Sequence, residues 1–115
     1  MLLFCQEPVQ GNMEYKRDFF NMTGEKLERY STQLKYRIIE GNGKAIYIIG
    51  IEDDGKLYGI SSNKIQYIIN LVNHMCSNIN SKINCILKCN YSGKFFLIFI
   101  LKSLFDVEEL PFICN

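Results

Sequence analysis

Apolar positions recur along the chain with two different periods, and each change of period marks an element. "MEYKRDFF", residues 13–20, reads as a short strand. Thr23-Gly24-Glu25 follows, with Thr23 placed to cap a helix and Glu25 suited to the positive end of its dipole. Beyond it Leu27, Tyr30, Leu34 and Ile38 fall at helical spacing on one face. Lys26, Arg29, Gln33, Arg37 and Glu40 are then turned mostly outward. Gly41-Asn42-Gly43 ends the helix, because Gly and Asn tolerate the left-handed conformation of a C-cap.

"KAIYIIGI", residues 44–51, is apolar on both sides. Ala45, Tyr47, Ile49 and Ile51 lie on one and Ile46 and Ile48 on the other. That pattern predicts a central strand covered on both faces. Asp54-Gly55 predicts a tight hairpin, since both residues accept positive φ, and "LYGI", 57–60, is the returning strand. Ser61 or Ser62 can cap a second helix. In it Ile65, Ile68, Ile69, Val72, Met75, Cys76 and Ile79 form the clearest amphipathic pattern of the chain. Two strand-like runs, 83–89 and 94–102, are joined by Asn90-Tyr91-Ser92-Gly93 as a second hairpin. The order is β-α-β-β-α-β-β, which predicts an α+β domain with a mixed sheet and two packed helices, either in two layers or with the sheet sandwiched between helices. Residues 1–12 and 104–115 carry no firm pattern and read as tails around a single domain over 13–103.

A chain of 115 residues, 48% hydrophobic and 22% charged, holds one domain and is too apolar to be disordered. The net charge of +1 predicts no partner by itself, but its distribution is uneven. Residues 57–105 contain Lys64, Lys82, Lys88, Lys94 and Lys102 and no acidic residue. The second half therefore offers either a basic face or scattered solubilising lysines. The five cysteines, an odd number without a C-x-x-C pair, suit a reducing compartment, and the chain is expected to be cytoplasmic. "MLLFCQEP" has no basic opening and predicts no secretory leader. "FFLIFIL", 95–101, is far shorter than the ~20 residues that span a bilayer, so no membrane partner is expected.

Glu52, Asp53 and Asp54 precede Gly55 without calcium-loop spacing, and carboxylates at a hairpin tip serve as turn formers and solubilisers. A catalytic or metal role for them needs a partner from elsewhere, and Glu14 is the best placed. His74, Cys76, Cys85 and Cys89 lack structural-zinc spacing. Cys85 and Cys89 on one strand face stand about 13 Å apart, beyond the reach of one ion. No metal site is expected. Neither a P-loop nor a G-x-G-x-x-G fingerprint is present, and Gly41-Asn42-Gly43-Lys44 follows a helix where a phosphate loop would precede one. No cofactor is expected in this chain. Lys16, Arg17, Lys35, Arg37 and Lys44 could converge at one end of the sheet and bind a phosphate backbone. The alternative is a solvated charged face with Glu14, Glu28 and Glu40 as counter-charges.

"GNMEYKRDF" and "LERYSTQLKYRIIEGNGKAIYIIGIEDDGKLYGIS" together resemble the N-terminal domain of the elongation-factor-like GTPases called GTP-binding protein 1 and 2. Gly11, Asn12, Glu14, Tyr15 and Lys16 fit a G-N-x-E-Y-K opening. Thr32, Gln33, Lys35, Arg37, Glu40, Gly41 and Gly43 fit the helix that follows. Ala45, Tyr47, Ile49, Gly50, Asp53, Gly55 and Gly59 fit A-x-Y-x-I-G-x-x-D-x-G and the return strand. The resemblance covers roughly 11–103, and in the second half it is one of architecture. It implies a non-catalytic accessory domain of a translational-GTPase-like protein, in contact with a GTPase domain, the ribosome or tRNA and other RNA. GTP and Mg would enter only with a GTPase domain elsewhere in the intact protein. The E-x-K and D-x-G outline also resembles, more distantly, the Schlafen-type domain, some of whose members bind or cleave nucleic acid. That implies an alternative, a metal-dependent RNase using Glu14, Lys16 and Asp53 (or Asp54). The further acidic residue of that pattern is not at the expected spacing here, since Glu7 lies seven positions before Glu14.

Overall fold

The computed structural model describes residues 2–108 and 110–112. Its elements are β1 (Met13–Lys16), α1 (Gly24–Glu40), β2 (Lys44–Ile49), α2 (Ile65–Asn78), β3 (Ser81–Tyr91) and β4 (Lys94–Ser103), with a single 3-10 turn, Ser62–Lys64, leading into α2. The four strands form one mixed sheet in the order β1-β2-β4-β3. β1 runs parallel to β2, and the other two pairings are antiparallel. The chain is thus α+β, as its periodicity predicts, and β2 is an inner strand.

Both helices cover the same face of the sheet. Leu34 and Ile38 of α1 and Ile68, Val72, Met75 and Cys76 of α2 pack on Ala45, Tyr47, Ile49, Leu97, Phe99 and Leu101. Leu34, Ile68 and Leu97 have no exposed surface, and burial of each such side chain contributes about 1.5–3 kcal/mol. Thr23 caps α1 by accepting from the Lys26 amide at 3.1 Å, and Gly41 closes it by donating to the Arg37 carbonyl at 3.0 Å. The β3–β4 turn has Ser92 and Gly93 at φ 51° and 84°. Two successive positive φ values match the right-handed twist of the strands they join, and the Asn90 side chain accepts from the Gly93 amide at 3.0 Å.

Two segments depart from the sequence reading. Residues 57–60 do not form a regular strand: Ile51 bridges Leu57 and Ile60 bridges Phe95, each as an isolated pair. Gly59 at φ +85° bends the chain between them, so it leaves β2 and joins the end of β4. Residues 2–12, read as a tail, lie on the domain. Leu3 and Phe4 pack with Leu57 against Tyr15, Ile48, Ile51 and Phe96 on the sheet face away from the helices. The amides of Leu3 and Phe4 donate to the Gly55 carbonyl, and that of Glu7 donates to the Asp53 carbonyl at 2.7 Å. The second covering of β2 is therefore this N-terminal segment rather than a helix.

Candidate nucleic-acid interface

An open groove of about 670 Å³ lies off the carboxyl ends of the parallel pair β1 and β2. Its walls are the β1–α1 connection, the first turns of α1 and the hairpin tip at Glu52–Asp54. The connection is held in place from three sides. Phe19 is buried in the core. Asp18 pairs with Lys64 at 2.9 Å. Lys26 donates to the Phe20 carbonyl at 2.8 Å. With its backbone fixed, Phe20 leaves 41% of its surface exposed, against Tyr58 in an edge-to-face contact at 6.4 Å.

Cations stand over these rings. The Arg17 guanidinium is 5.3 Å from the Tyr58 ring centre and 5.8 Å from that of Phe20. Lys64 is 4.9 Å from Phe20 on the same cluster. Deeper along the groove Lys16 lies 4.1 Å above Tyr30, which Arg29 also approaches, at 5.5 Å. Among the groove's acids, Asp18 is taken by Lys64 and Asp54 by Lys56 at 3.6 Å. Glu52 and Asp53 line the groove as well. The result is a set of partly exposed aromatic rings with cations over them, an arrangement able to stack bases and hold the phosphates beside them once the cations turn toward a ligand.

The five cations singled out by sequence do not converge. Lys16 and Arg17 line the groove. Lys44 starts β2 at the other end of the sheet: Lys16 is in register with Ile49, five residues on, a separation of about 17 Å at strand rise. Lys35 is exposed on α1 and does not line the groove. Arg37, expected on the outer surface, is buried. Its Nε donates to Glu14 Oε2 at 2.6 Å, and its two terminal nitrogens donate to the carbonyls of Gly11 and Pro8 at 3.1 and 3.0 Å. The guanidinium satisfies a buried carboxylate and ties down the N-terminal segment, so it offers little to a phosphate. Missed by sequence reasoning were Phe20, Lys26, Tyr30, Tyr58 and Lys64. The one available cue was the aromatic-basic mixture of "KRDFF".

Glu14 has the Arg37 guanidinium as its partner, while Asp53 is exposed at the hairpin tip, where the local hydrogen bonds are those of a turn. Glu7 reaches the same neighbourhood. Its Oε2 accepts from the Tyr15 amide at 2.5 Å, a donor on the outer edge of β1. Burial raises the Glu7 pKa, and the nearby charges of Glu14 and Asp53 push it the same way, opposed by the Tyr15 amide and Arg37. Sequence spacing sets Glu7 apart from Glu14; the fold brings it back. Among the described residues no group of three or more His, Cys, Asp or Glu side chains is arranged to hold a metal ion. Among them also, no helix is long and apolar enough to cross a membrane.

Fold and groove together define a two-layer α+β domain with an aromatic and cationic patch at one end of its sheet. No protein-family model matches the chain. Over 77 residues, 67% of its length, it is 34% identical to GTP-binding protein 2 of Mus musculus and of Homo sapiens. It is also 32% identical over 93 residues to an uncharacterized protein of Acanthamoeba polyphaga mimivirus, covering 80% of this chain and 50% of that protein. The chain spans only 13% of GTP-binding protein 2. Within that stretch it is related to a GTP-binding protein.

Proposed function

We propose that this chain is a non-catalytic accessory domain of a translational-GTPase-like protein, and that its groove contacts single-stranded RNA. The observation that carries the first part is the similarity to a short stretch of GTP-binding protein 2. The lack of any phosphate-loop signature within the sequence supports it further. The Arg17–Phe20–Tyr58 cluster, with Lys16 and Lys26 lining the same groove, supports the second. Stacking on exposed rings contributes roughly 1–3 kcal/mol per base and tolerates any sequence. The GTPase domain of the same protein and the ribosome are the further partners in this reading, in the cytoplasm, with GTP and Mg belonging to the GTPase domain.

The test is a titration of the purified chain with a labelled single-stranded RNA oligonucleotide and, separately, with labelled GTP. RNA affinity is expected to fall as salt rises, by about 0.7 in log K per log unit of salt for each phosphate held. It should fall further in Phe20→Ala and Arg17→Ala. Binding or hydrolysis of GTP at micromolar concentration would remove the accessory reading. RNA binding that ignores salt and both substitutions would remove the groove.

The alternative is a metal-dependent RNase built on Glu14, Lys16 and Asp53, and the proximity of Glu7 to Glu14 and Asp53 favours it. These residues do not fit a metal ion well, because Glu14 is already engaged by Arg37 and Lys16 lies over Tyr30. Incubation of RNA with Mg²⁺ or Mn²⁺ separates the readings: cleavage that disappears in Glu14→Gln supports the RNase, and intact RNA supports binding alone.

A further inference from the structure

The sheet face turned away from the helices carries a row of three lysines. Lys44 of β2 is in register with Lys102 of β4, and Lys102 with Lys82 of β3. All three are exposed. Alternation places them on this face: Lys44 shares it with Ile46 and Ile48, and Lys102 with Ile100, Ile98 and Phe96. Like charges directly opposite one another on adjacent strands destabilise a sheet. Among the described residues none of the three has an ion-pair partner within 4.0 Å. The fold therefore tolerates a repulsion that any acidic residue at position 102 would turn into attraction.

Next to that row the face is apolar. Cys85, Ile100, Ile46 and Met13 make one line across the four strands, and Leu87 and Ile98 begin the next. Cys85 is exposed and Leu87 is 48% exposed. Further along, the same face is covered: Leu3 and Phe4 of the N-terminal segment lie on Tyr15, Ile48 and Phe96. The chain's own extended, apolar segment thus covers the face around Tyr15, Ile48 and Phe96, with Met13, Ile46 and Ile98 packed at its margin, and leaves Cys85 and Leu87, near the lysines, open. Cys85 and Leu87, with the half-buried Ile98 and Ile100 beside them, are thiol and aliphatic side chains. That suits apolar side chains of a polypeptide better than stacked bases.

We propose that this part of the face docks an acidic polypeptide segment bearing apolar side chains from a partner protein. The apolar side chains cover Cys85, Leu87, Ile98 and Ile100, and the carboxylates meet Lys44, Lys82 and Lys102. The surface is separate from the RNA groove, so the inference stands or falls independently of that reading.

The experiment uses the whole chain and four labelled probes: a peptide alternating Glu and Leu, one alternating Glu and Ser, one alternating Lys and Leu, and a single-stranded RNA oligonucleotide. The Glu–Leu peptide is expected to bind and to slow alkylation of Cys85 while leaving the exposed Cys5 reactive. Lys102→Glu is expected to weaken it on the order of tenfold and, in the same protein without peptide, to raise the melting temperature. Leu87→Ser should weaken the peptide without that gain in stability. The combination separates a docking row from a merely structural one, which would move stability alone. The proposal is overturned if the Glu–Leu peptide does not bind, if Lys102→Glu leaves its affinity unchanged, or if Glu–Ser or the oligonucleotide protects Cys85 equally well.

Discussion

Arg37 has five N–H donors to satisfy inside the fold, and it reaches Glu14 and the carbonyls of Gly11 and Pro8. Truncation to Ala strands the Glu14 carboxylate without its partner in a largely dry site. A loss of about 3–5 kcal/mol is expected, read from urea unfolding. The Glu14→Gln/Arg37→Met double variant should lose less, since no charge is stranded; an equal or larger loss in the double would show that the tether to the N-terminal segment outweighs the pair. Glu7 gives a test of opposite sign. Its folded pKa is raised, chiefly by burial, so the folded chain holds a proton there more tightly than the unfolded chain. Stability from this group is full below the ordinary carboxylate value of 4.5 and is lost as pH rises through the raised value. Glu7→Gln keeps an oxygen for the Tyr15 amide without the charge. It should therefore be more stable than the parent at pH 7, with the gap closing as pH falls below 4.5; a gap that persists in acid would contradict the assignment.

At the scale of elements the same N-terminal segment sets the limits of sequence reading. Gly55 stands at φ +91°, and a Cβ there would lie 2.0 Å from the Phe4 carbonyl oxygen. Gly55→Ala is therefore expected to strain the turn and lift residues 3–7 together. Hydrogen exchange at the Leu3 and Phe4 amides, both bonded to the Gly55 carbonyl, would rise well above that of the β2 amides. Unchanged protection would mean that the segment docks by its side chains alone. α1, α2 and the β3–β4 hairpin were legible because each repeats its period over many residues and ends on residues with a definite backbone preference. Residues 2–12 were not, because they are held by scattered backbone hydrogen bonds, by the Glu7 and Arg37 side chains and by two apolar side chains, which leave no period. Arg37 sits beside Leu34 and Ile38 at the margin of the buried helix face. A partner 23 residues away decides that it turns inward, and no local pattern records that. The same holds for the groove: Lys16 and Arg17 were legible as charges, whereas Phe20, Tyr30, Tyr58 and Lys64 join them only through the fold.

For the whole molecule the question is whether the groove and the lysine-rich face act on one another. They lie at opposite ends of β2, the groove off its carboxyl end and Lys44 at its start, and the core beside that strand, Tyr47, Ile49, Leu97 and Phe99, is essentially without exposed surface. Packing of that density offers no second arrangement for a ligand to select, and conformational coupling requires one. What is left is charge. RNA in the groove adds negative charge to the molecule, and an acidic segment on the other face would feel it as repulsion. At physiological ionic strength the screening length is about 8 Å, short compared with the roughly 17 Å that separates Lys16 from Lys44 along the sheet. The expected outcome is a small negative coupling at low salt that fades toward zero as salt rises. Titration of the Glu–Leu peptide with and without saturating oligonucleotide measures it, and the reciprocal titration must return the same factor. A coupling that survives high salt would instead mean that the segment spanning residues 2–8 moves. That segment touches the sheet face through Leu3 and Phe4 and the hairpin beside the groove through Glu7, so it is placed to carry such a signal. Leu3→Ala, which loosens the segment away from the groove's walls, would then change the coupling.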